Sequence, residues 1–300
     1  MKQLVVLSGK GGAGKTSLVA AFAQLAAKDT RIKSAVFADA DVDASNLELV
    51  LNPCKKGSED FWGGQIALID QEDCISCGDC VEVCRFDAID EVEGSFHVDP
   101  IACDGCAACV YQCPTEAITM HSQVVGQWYR SESPYGPMIH ADLRPAQENS
   151  GKLVTLVKQQ ARLLAMDDGH DLVLIDGPPG IGCPVISAVS GADLALVVAE
   201  PSVAGVHDMR RALETVEHFG IQALVCINKA DLYPEGRAEI ESYCQEHEIE
   251  ILGSIPFDET ITAAMTQGQP VTLYKPTSPA SLAIEKIWTK VTDRLQAMES

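Results

Sequence analysis

Positive charge is scarce in this chain: 22 Lys and Arg stand against 43 Asp and Glu, a formal charge of -21 with a sequence pI near 4.6. Such a surface repels phosphate backbones and anionic lipid, so it argues against nucleic-acid binding and leaves a basic partner or a small substrate. Long apolar runs are missing too. None approaches the roughly 20 residues that cross a bilayer, and the five apolar or amide residues before Ser8 are too few for a secretory leader. The expectation is a cytoplasmic protein with no direct membrane insertion. An apolar content of 46% is ample for a packed core.

Cysteine, by contrast, is plentiful. Twelve are present, more than a reducing compartment would use for disulfides. Eight fall between Cys74 and Cys113, while Cys54, Cys183, Cys226 and Cys244 are scattered. Clustered thiols under reducing conditions read as metal ligands. Cys226, within an apolar strand, and Cys183 read as packing residues.

Two textures alternate along the chain. From Lys2 to about Leu51 come an apolar strand, a Gly-rich turn, an amphipathic helix from Lys15 to about Lys28, and a second strand, Ser34–Ala38. The same texture returns in "DLVLID" (Asp171–Asp176), "ADLALVVAE" (Ala192–Glu200), "IQALVCIN" (Ile221–Asn228) and "IEILGSIP" (Ile249–Pro256). Near-continuous apolar strands separated by helix-length segments predict an α/β fold, a mostly parallel sheet covered by helices on both faces. Between these halves the pattern breaks, and a structureless loop of that length is improbable in a compact domain. The predicted division is therefore residues 1–54 and 148–300 as one interrupted domain, with 55–147 as a small inserted α+β domain and connecting arm. Trp128, Tyr129 and Tyr135 sit on the arm as packing aromatics, and "ENSGKLV" starts a helix capped by Asn149 or Ser150. Near the end, Ile284, Ile287, Trp288, Val291 and Leu295 recur at helical spacing among mixed charges, which predicts a helix packed on the core rather than a basic membrane helix.

"SGKGGAGKT" (Ser8–Thr16) ends the first strand and opens the first helix. Gly9, Gly14, Lys15 and Thr16 satisfy G-x-x-x-x-G-K-[ST]. In such a loop the backbone from Gly9 through Gly11, Gly12, Ala13 and Gly14 to Ser17 closes on phosphates, Lys15 reaches the β and γ phosphates, and the Thr16 hydroxyl ligates Mg²⁺. Acidic residues follow two other strands: "DADVDASNL" (Asp39–Leu47) the second strand, and Asp176 in "LVLIDGPPGIG". Carboxylates at strand ends beside a phosphate site face the cation. "NKAD" (Asn228–Asp231) is ambiguous alone, because N-K-x-D selects guanine in many GTPases.

The loop carries a second lysine, Lys10, and "KGGAGKT" resembles the deviant phosphate loop of the MinD/ParA-type ATPases. That group includes the nitrogenase iron protein and Mrp-type iron–sulfur carriers. The resemblance implies a nucleotide-sandwich dimer, with itself or a related ATPase, in which Lys10 reaches the partner's phosphates as an arginine finger would. It implies that Asp39 orients the attacking water, that Asp41 or Asp43 serves Mg²⁺ through its shell, and that Asp176 holds Mg²⁺ through water. Gly177 and Gly180 would flank a switch sensing the γ-phosphate. Asn228 and Lys229 would lie at adenine, with Pro256, Phe257 and Asp258 lining the base, and ATP is favoured over GTP.

Cys74, Cys77, Cys80 and Cys84 are spaced C-x2-C-x2-C-x3-C, and Cys103, Cys106, Cys109 and Cys113 repeat the spacing with Pro114 following. This is the bacterial ferredoxin pattern written twice, although Arg85 replaces the first proline. The pattern implies two [4Fe–4S] clusters, one held by Cys74, Cys77, Cys80 and Cys113, the other by Cys103, Cys106, Cys109 and Cys84. Zinc is the competing metal. The nesting predicts an ATPase that couples MgATP binding and hydrolysis to control of two clusters, for electron transfer or metallocofactor maturation, with a redox protein or an apo-metalloprotein as partner. An iron–sulfur scaffold or carrier, and a spatial-positioning ATPase with redox-sensing clusters, are the alternatives.

Overall fold

The computed structural model describes residues 1–144 and 150–298; the boundary at 147 and the cap at Asn149 lie outside the described residues. In chain order the elements are β1 (Lys2–Ser8), α1 (Lys15–Ala26), β2 (Ala35–Asp39), α2 (Leu47–Leu51), β3 (Cys54–Ile69), α3 (Asp79–Val83), β4 (Ile89–Val92), β5 (Ser95–Val98), α4 (Ala108–Gln112), β6 (Ile118–Ser133) and β7 (Gly136–Leu143). Then follow α5 (Ser150–Asp168), β8 (Leu172–Pro179), α6 (Cys183–Val189), β9 (Leu194–Ala199), α7 (Val203–His218), β10 (Gln222–Asn228), α8 (Pro234–Glu246), β11 (Glu250–Ile255), α9 (Glu259–Thr266), α10 (Val271–Tyr274) and α11 (Pro279–Ala297). No helix among the described residues is long and apolar enough to cross a membrane.

The chain divides into two compact units. The larger comprises Met1–Ser58, Trp128–Asp142 and the chain from Ser150. Its sheet runs in the order β11, β10, β9, β1, β8, β2, β7, and continues through β6 and β3. The pairs β1 with β8 and β9, β2 with β8 and β7, and β10 with β9 and β11 are all parallel. Alternate residues of one strand supply opposite faces. Leu224 and Cys226 join the core beneath α1 and α11, whereas Val225 and Ile227 join a second core with Val206, Met209 and Ile240 of α7 and α8. With both faces covered, these strands need apolar residues at every position. The predicted apolar stripe of α11 is buried, and Trp288 packs 5.0 Å from Phe22 between ring centroids.

Residues 128–142 differ from the reading of a connecting arm. They form the end of β6 and all of β7, adjacent strands joined by Pro134–Tyr135, a link short enough only for an antiparallel pair. Gly136 closes the turn at φ 142°, where a Cβ would press on the Ala35 carbonyl at 2.7 Å. The inward residues are partly polar: buried Ser131 Oγ and His140 Nε2 lie 2.9 Å apart, and His140 Nδ1 faces Glu48 Oε2 at 3.1 Å. Tyr135 packs on the main core as expected. Cys226 and Cys244 are core residues, but Cys183 is exposed at the start of α6, contrary to the packing role expected of it.

The smaller unit comprises Glu59–Gln127 and the run from Leu143. Its two halves repeat at an offset of 29 residues, the separation of Cys74 from Cys103. Short helices α3 and α4 obey that offset, and so do the left-handed residues: Ser76, Gly78 and Asp87 in one half, Gly105, Ala107 and Glu116 in the other. The halves exchange equivalent hydrogen bonds, Asp70 N–H to Ala117 O and Asp99 N–H to Ala88 O, both 2.8 Å. The core between them contains Ile69, Ile89, Phe96 and Ile118, with Cys80 and Cys109.

Candidate functional site

The Gly-rich loop sits where β1 feeds α1. Gly14 has φ 93°, and a Cβ there would run into the Asn228 side-chain nitrogen, so glycine is required twice over. No side chain caps α1 and no acidic residue occupies its first turn, which leaves the positive end of the helix open to an anion. A cavity of about 720 Å³ lies over it, lined by Ser8, Gly11 to Ser17, Asp41 and Asp43, Pro178 and Pro179. Asn46, Leu49, Val50, Met265 and Thr266 also line it.

Lys15 is buried, its Nζ 3.0 Å from Asp176 Oδ1 and 3.3 Å from Asp41 Oδ2. Burial alone would lower its pKa, but Asp176, Asp41 and Asp39 outweigh it and raise it. The other oxygen of Asp176, Oδ2, is buried without a hydrogen-bond partner. An orphaned carboxylate oxygen beside a phosphate cradle fits a divalent cation held directly or through water.

The three switch aspartates divide differently from the expectation. Asp39 is fully buried: its Oδ2 accepts from Ser45 Oγ at 2.8 Å and Leu47 N–H at 3.0 Å, its Oδ1 from Asp41 N–H at 3.1 Å. Burial and the neighbouring Asp176 push its pKa up to about 7. Asp39 therefore anchors the loop and the start of α2 and does not line the cavity, so the structure does not bring it to an attacking water; Asp41 and Asp43 are the carboxylates that face in.

The second lysine points elsewhere. Lys10 is absent from the cavity lining, and its Nζ lies 3.2 Å from Glu200 Oε1 and 3.1 Å from Ser202 Oγ. Lys229 Nζ holds the other oxygen of Glu200 at 3.0 Å and donates to Gly12 O at 3.1 Å. Asn228 donates to Ala13 O at 2.8 Å, bracing the loop from behind. Pro256, Phe257 and Asp258 do not line the cavity either. Asp231 accepts the Phe257 N–H at 2.7 Å, and Asp258 caps α9 through the Thr260 N–H at 2.9 Å, which fixes this segment against its own chain. The segment does approach the cavity later, through Met265 and Thr266.

The cysteines gather into two hollows in the smaller unit. One is lined by Cys74, Cys77, Cys80 and Cys113, the other by Cys84, Cys103, Cys106 and Cys109. Each takes three thiols from one run and the fourth from the other. Among the described residues no three His, Cys, Asp or Glu side chains converge on one point as ligands of a single ion. An all-thiol donor set around a hollow has the chemistry of [4Fe–4S] ligation, and four thiolates are also a zinc set. One sulfur receives a hydrogen bond from the chain, Ala88 N–H to Cys84 Sγ at 3.4 Å; Thr115 Oγ1, which donates to Asp73 O at 2.9 Å, lies 3.7 Å from Cys113 Sγ.

Residues 4–271 match the model of the CobQ/CobB/MinD/ParA nucleotide binding domain. The chain belongs to this MinD/ParA family. An uncharacterized protein of Methanocaldococcus jannaschii is 34% identical over 289 residues, 96% of each chain. The septum site-determining protein MinD of Bacillus subtilis is 26% identical across 96% of this chain and 88% of its own. The iron–sulfur cluster carrier protein of Pyrococcus furiosus is 27% identical over 163 residues, 50% of this chain and 54% of its own. The MinD cell division protein of Aquifex aeolicus shares the fold, with TM-score 0.58 and 21% identity over 98% of both chains. Membership in the MinD/ParA family agrees with the α/β architecture and supports nucleotide binding and ATP hydrolysis in general. What the sequence did not offer was Ser45 as the support of Asp39, Glu200 as the partner of Lys10, or the cavity's far end at Leu49 and Met265. Each depends on residues brought together by the fold.

Proposed function

We propose that this MinD/ParA-family protein is a dimeric ATPase in which MgATP binding and hydrolysis control two [4Fe–4S] clusters, serving electron transfer or metallocofactor maturation. The observation that carries the reading is the exchange of the fourth thiol between the two cysteine runs, the ligand crossing of two-cluster ferredoxins. In this reading the smaller unit is an inserted ferredoxin-like domain, and the clusters, held by four protein thiolates each, transfer electrons rather than being passed on. Thr16, Asp41 and Asp176 hold the cation, and a bound Mg²⁺ supplies neutralisation of charge on the transferring phosphoryl group. Lys15 leaves its carboxylates for the phosphates. Asp41 or Asp43 positions the water, since Asp39 is committed to the loop. Lys10 acts on the phosphates of the partner subunit. The relationship to a MinD structure bound to Mg-ADP, from Pyrococcus horikoshii, supports the nucleotide assignment, and a MinC:MinD complex from Aquifex aeolicus supports control through a protein partner.

The test is anaerobic reconstitution of the full chain with iron and sulfide, followed by potentiometric EPR without nucleotide, with MgADP and with a non-hydrolysable MgATP analogue. About eight irons per chain and a change of potential or spin coupling with the analogue, lost in Lys10→Ala, are expected. Failure to take up iron sinks the cluster assignment. Identical titrations in all three states sink the coupling.

A further inference from the structure

We infer that Glu200 is a positioning residue that stores Lys10 outside the nucleotide cavity of its own chain until phosphates outcompete it. The inference rests on the reading of Lys10 as a phosphate ligand. Lys10 starts only five residues before Lys15, yet the cavity is lined by Ser8 and then by Gly11 to Ser17, with Lys10 left out. Its backbone carbonyl is held by Ser8 Oγ at 2.8 Å, and its ammonium is turned to Glu200 and Ser202, at the end of β9 and the cap of α7.

The Glu200 carboxylate is shared. One oxygen takes Lys10 and the other takes Lys229, which also holds the Gly12 carbonyl of the loop. Two cations of the phosphate-loop surroundings thus converge on one half-buried carboxylate, with side-chain exposures of 32% for Lys10 and 18% for Glu200. Gly205 lets the start of α7 come close to the Glu200 backbone, because a Cβ there would run into the Glu200 main-chain carbonyl. Partly exposed ion pairs of this kind contribute little to folding. A pair so weak is poorly explained as a structural staple and well suited to exchange. A triphosphate carries more negative charge than one carboxylate and offers several oxygens, so it replaces Glu200 without a large barrier. Until then Lys10 cannot reach the phosphates held by the partner subunit, and ADP, with one phosphate fewer, competes for it less well.

The prediction concerns Glu200→Gln, which keeps the shape and removes the charge. In the full-length protein, binding of a fluorescent non-hydrolysable MgATP analogue should tighten several-fold, and dimerisation in analytical ultracentrifugation should occur at lower analogue concentration. In a Lys10→Ala background the same change should have no effect on either, since there is no lysine left to release. Thermal stability should remain within a few degrees of the parent; should Glu200→Gln fold poorly, Ser202→Ala, which removes the second tether together with the cap hydrogen bond from Gly205 N–H, should shift affinity in the same direction. Unchanged or weaker binding, or an equal gain with and without Lys10, overturns the role of Glu200. If Lys10→Ala alone alters neither binding nor dimerisation, it is the reading of Lys10 that fails.

Discussion

Replacing Lys15 with Met tests how the buried charges around it are balanced. The ammonium is 5% exposed and serves Asp176 and Asp41 at 3.0 and 3.3 Å, with Asp39 fully buried behind them. Methionine matches the length and removes the cation, leaving a cluster of carboxylates with nothing to neutralise them. Removing one partner of a buried ion pair costs about 3 to 5 kcal/mol. At about 2 to 4 °C per kcal/mol for a domain of this size, the melting temperature should fall by about 6 to 20 °C. The pH dependence carries a sign that makes the argument sharper. The pKa of Asp39 is raised to about 7, so the folded protein holds that proton more tightly than the unfolded chain. Its contribution favours folding at low pH and is lost as pH rises from about 4 through 7. Without Lys15 the carboxylates can be relieved only by protons, and the deficit should be larger at pH 8 than at pH 5.5. Differential scanning calorimetry of both proteins, free of nucleotide and magnesium, reads this directly. A variant as stable as the parent at pH 8 would refute the reasoning, because it would mean that desolvation of the lysine outweighs its pairing.

Two further outcomes are expected. Gly14→Ala places a Cβ at φ 93° against Asn228; strain of about 1 to 3 kcal/mol should displace the loop and lower nucleotide affinity by about 5- to 150-fold, measured by fluorescent-nucleotide titration, with the sheet unaffected in circular dichroism. Thr115→Val removes the hydroxyl that lies 3.7 Å from Cys113 Sγ and donates to Asp73 O, and the equivalent position beside Cys84 is Phe86, so under the proposed cluster reading potentiometric EPR should show the potential of one cluster shifting while the other stays put.

The parallel strands were legible because burial on both faces leaves a mark at every position, as in "LALVVA" of β9. Strand β7 left no such mark. Its inward His140 meets Ser131 of the neighbouring strand through Nε2 and faces Glu48 through Nδ1, and polar residues that meet only in the fold look like loop when each is read alone. The Gly-rich loop was legible because its pattern is local, two glycines at left-handed turns, Gly12 and Gly14, and one lysine behind them. The far end of the cavity was not, since Leu49 and Met265 are neighbours only after α2 and α9 have been placed. Asp39 shows the limit most clearly. An aspartate at a strand end reads as a group facing the ligand, but whether it faces out or anchors the loop depends on Ser45 and the Leu47 amide, and no spacing rule reports that choice.

The repeat in the smaller unit has a consequence for its origin and its fragility. Since each hollow borrows its fourth thiol from the opposite half, half a unit contains no complete hollow at all. A single ancestral copy could have built a full four-thiol hollow only by embracing another copy of itself, so the present unit amounts to a homodimer sealed into one chain. It follows that the halves cannot be lost one at a time: cutting out either run would leave two incomplete sets of thiols, not one intact and one missing.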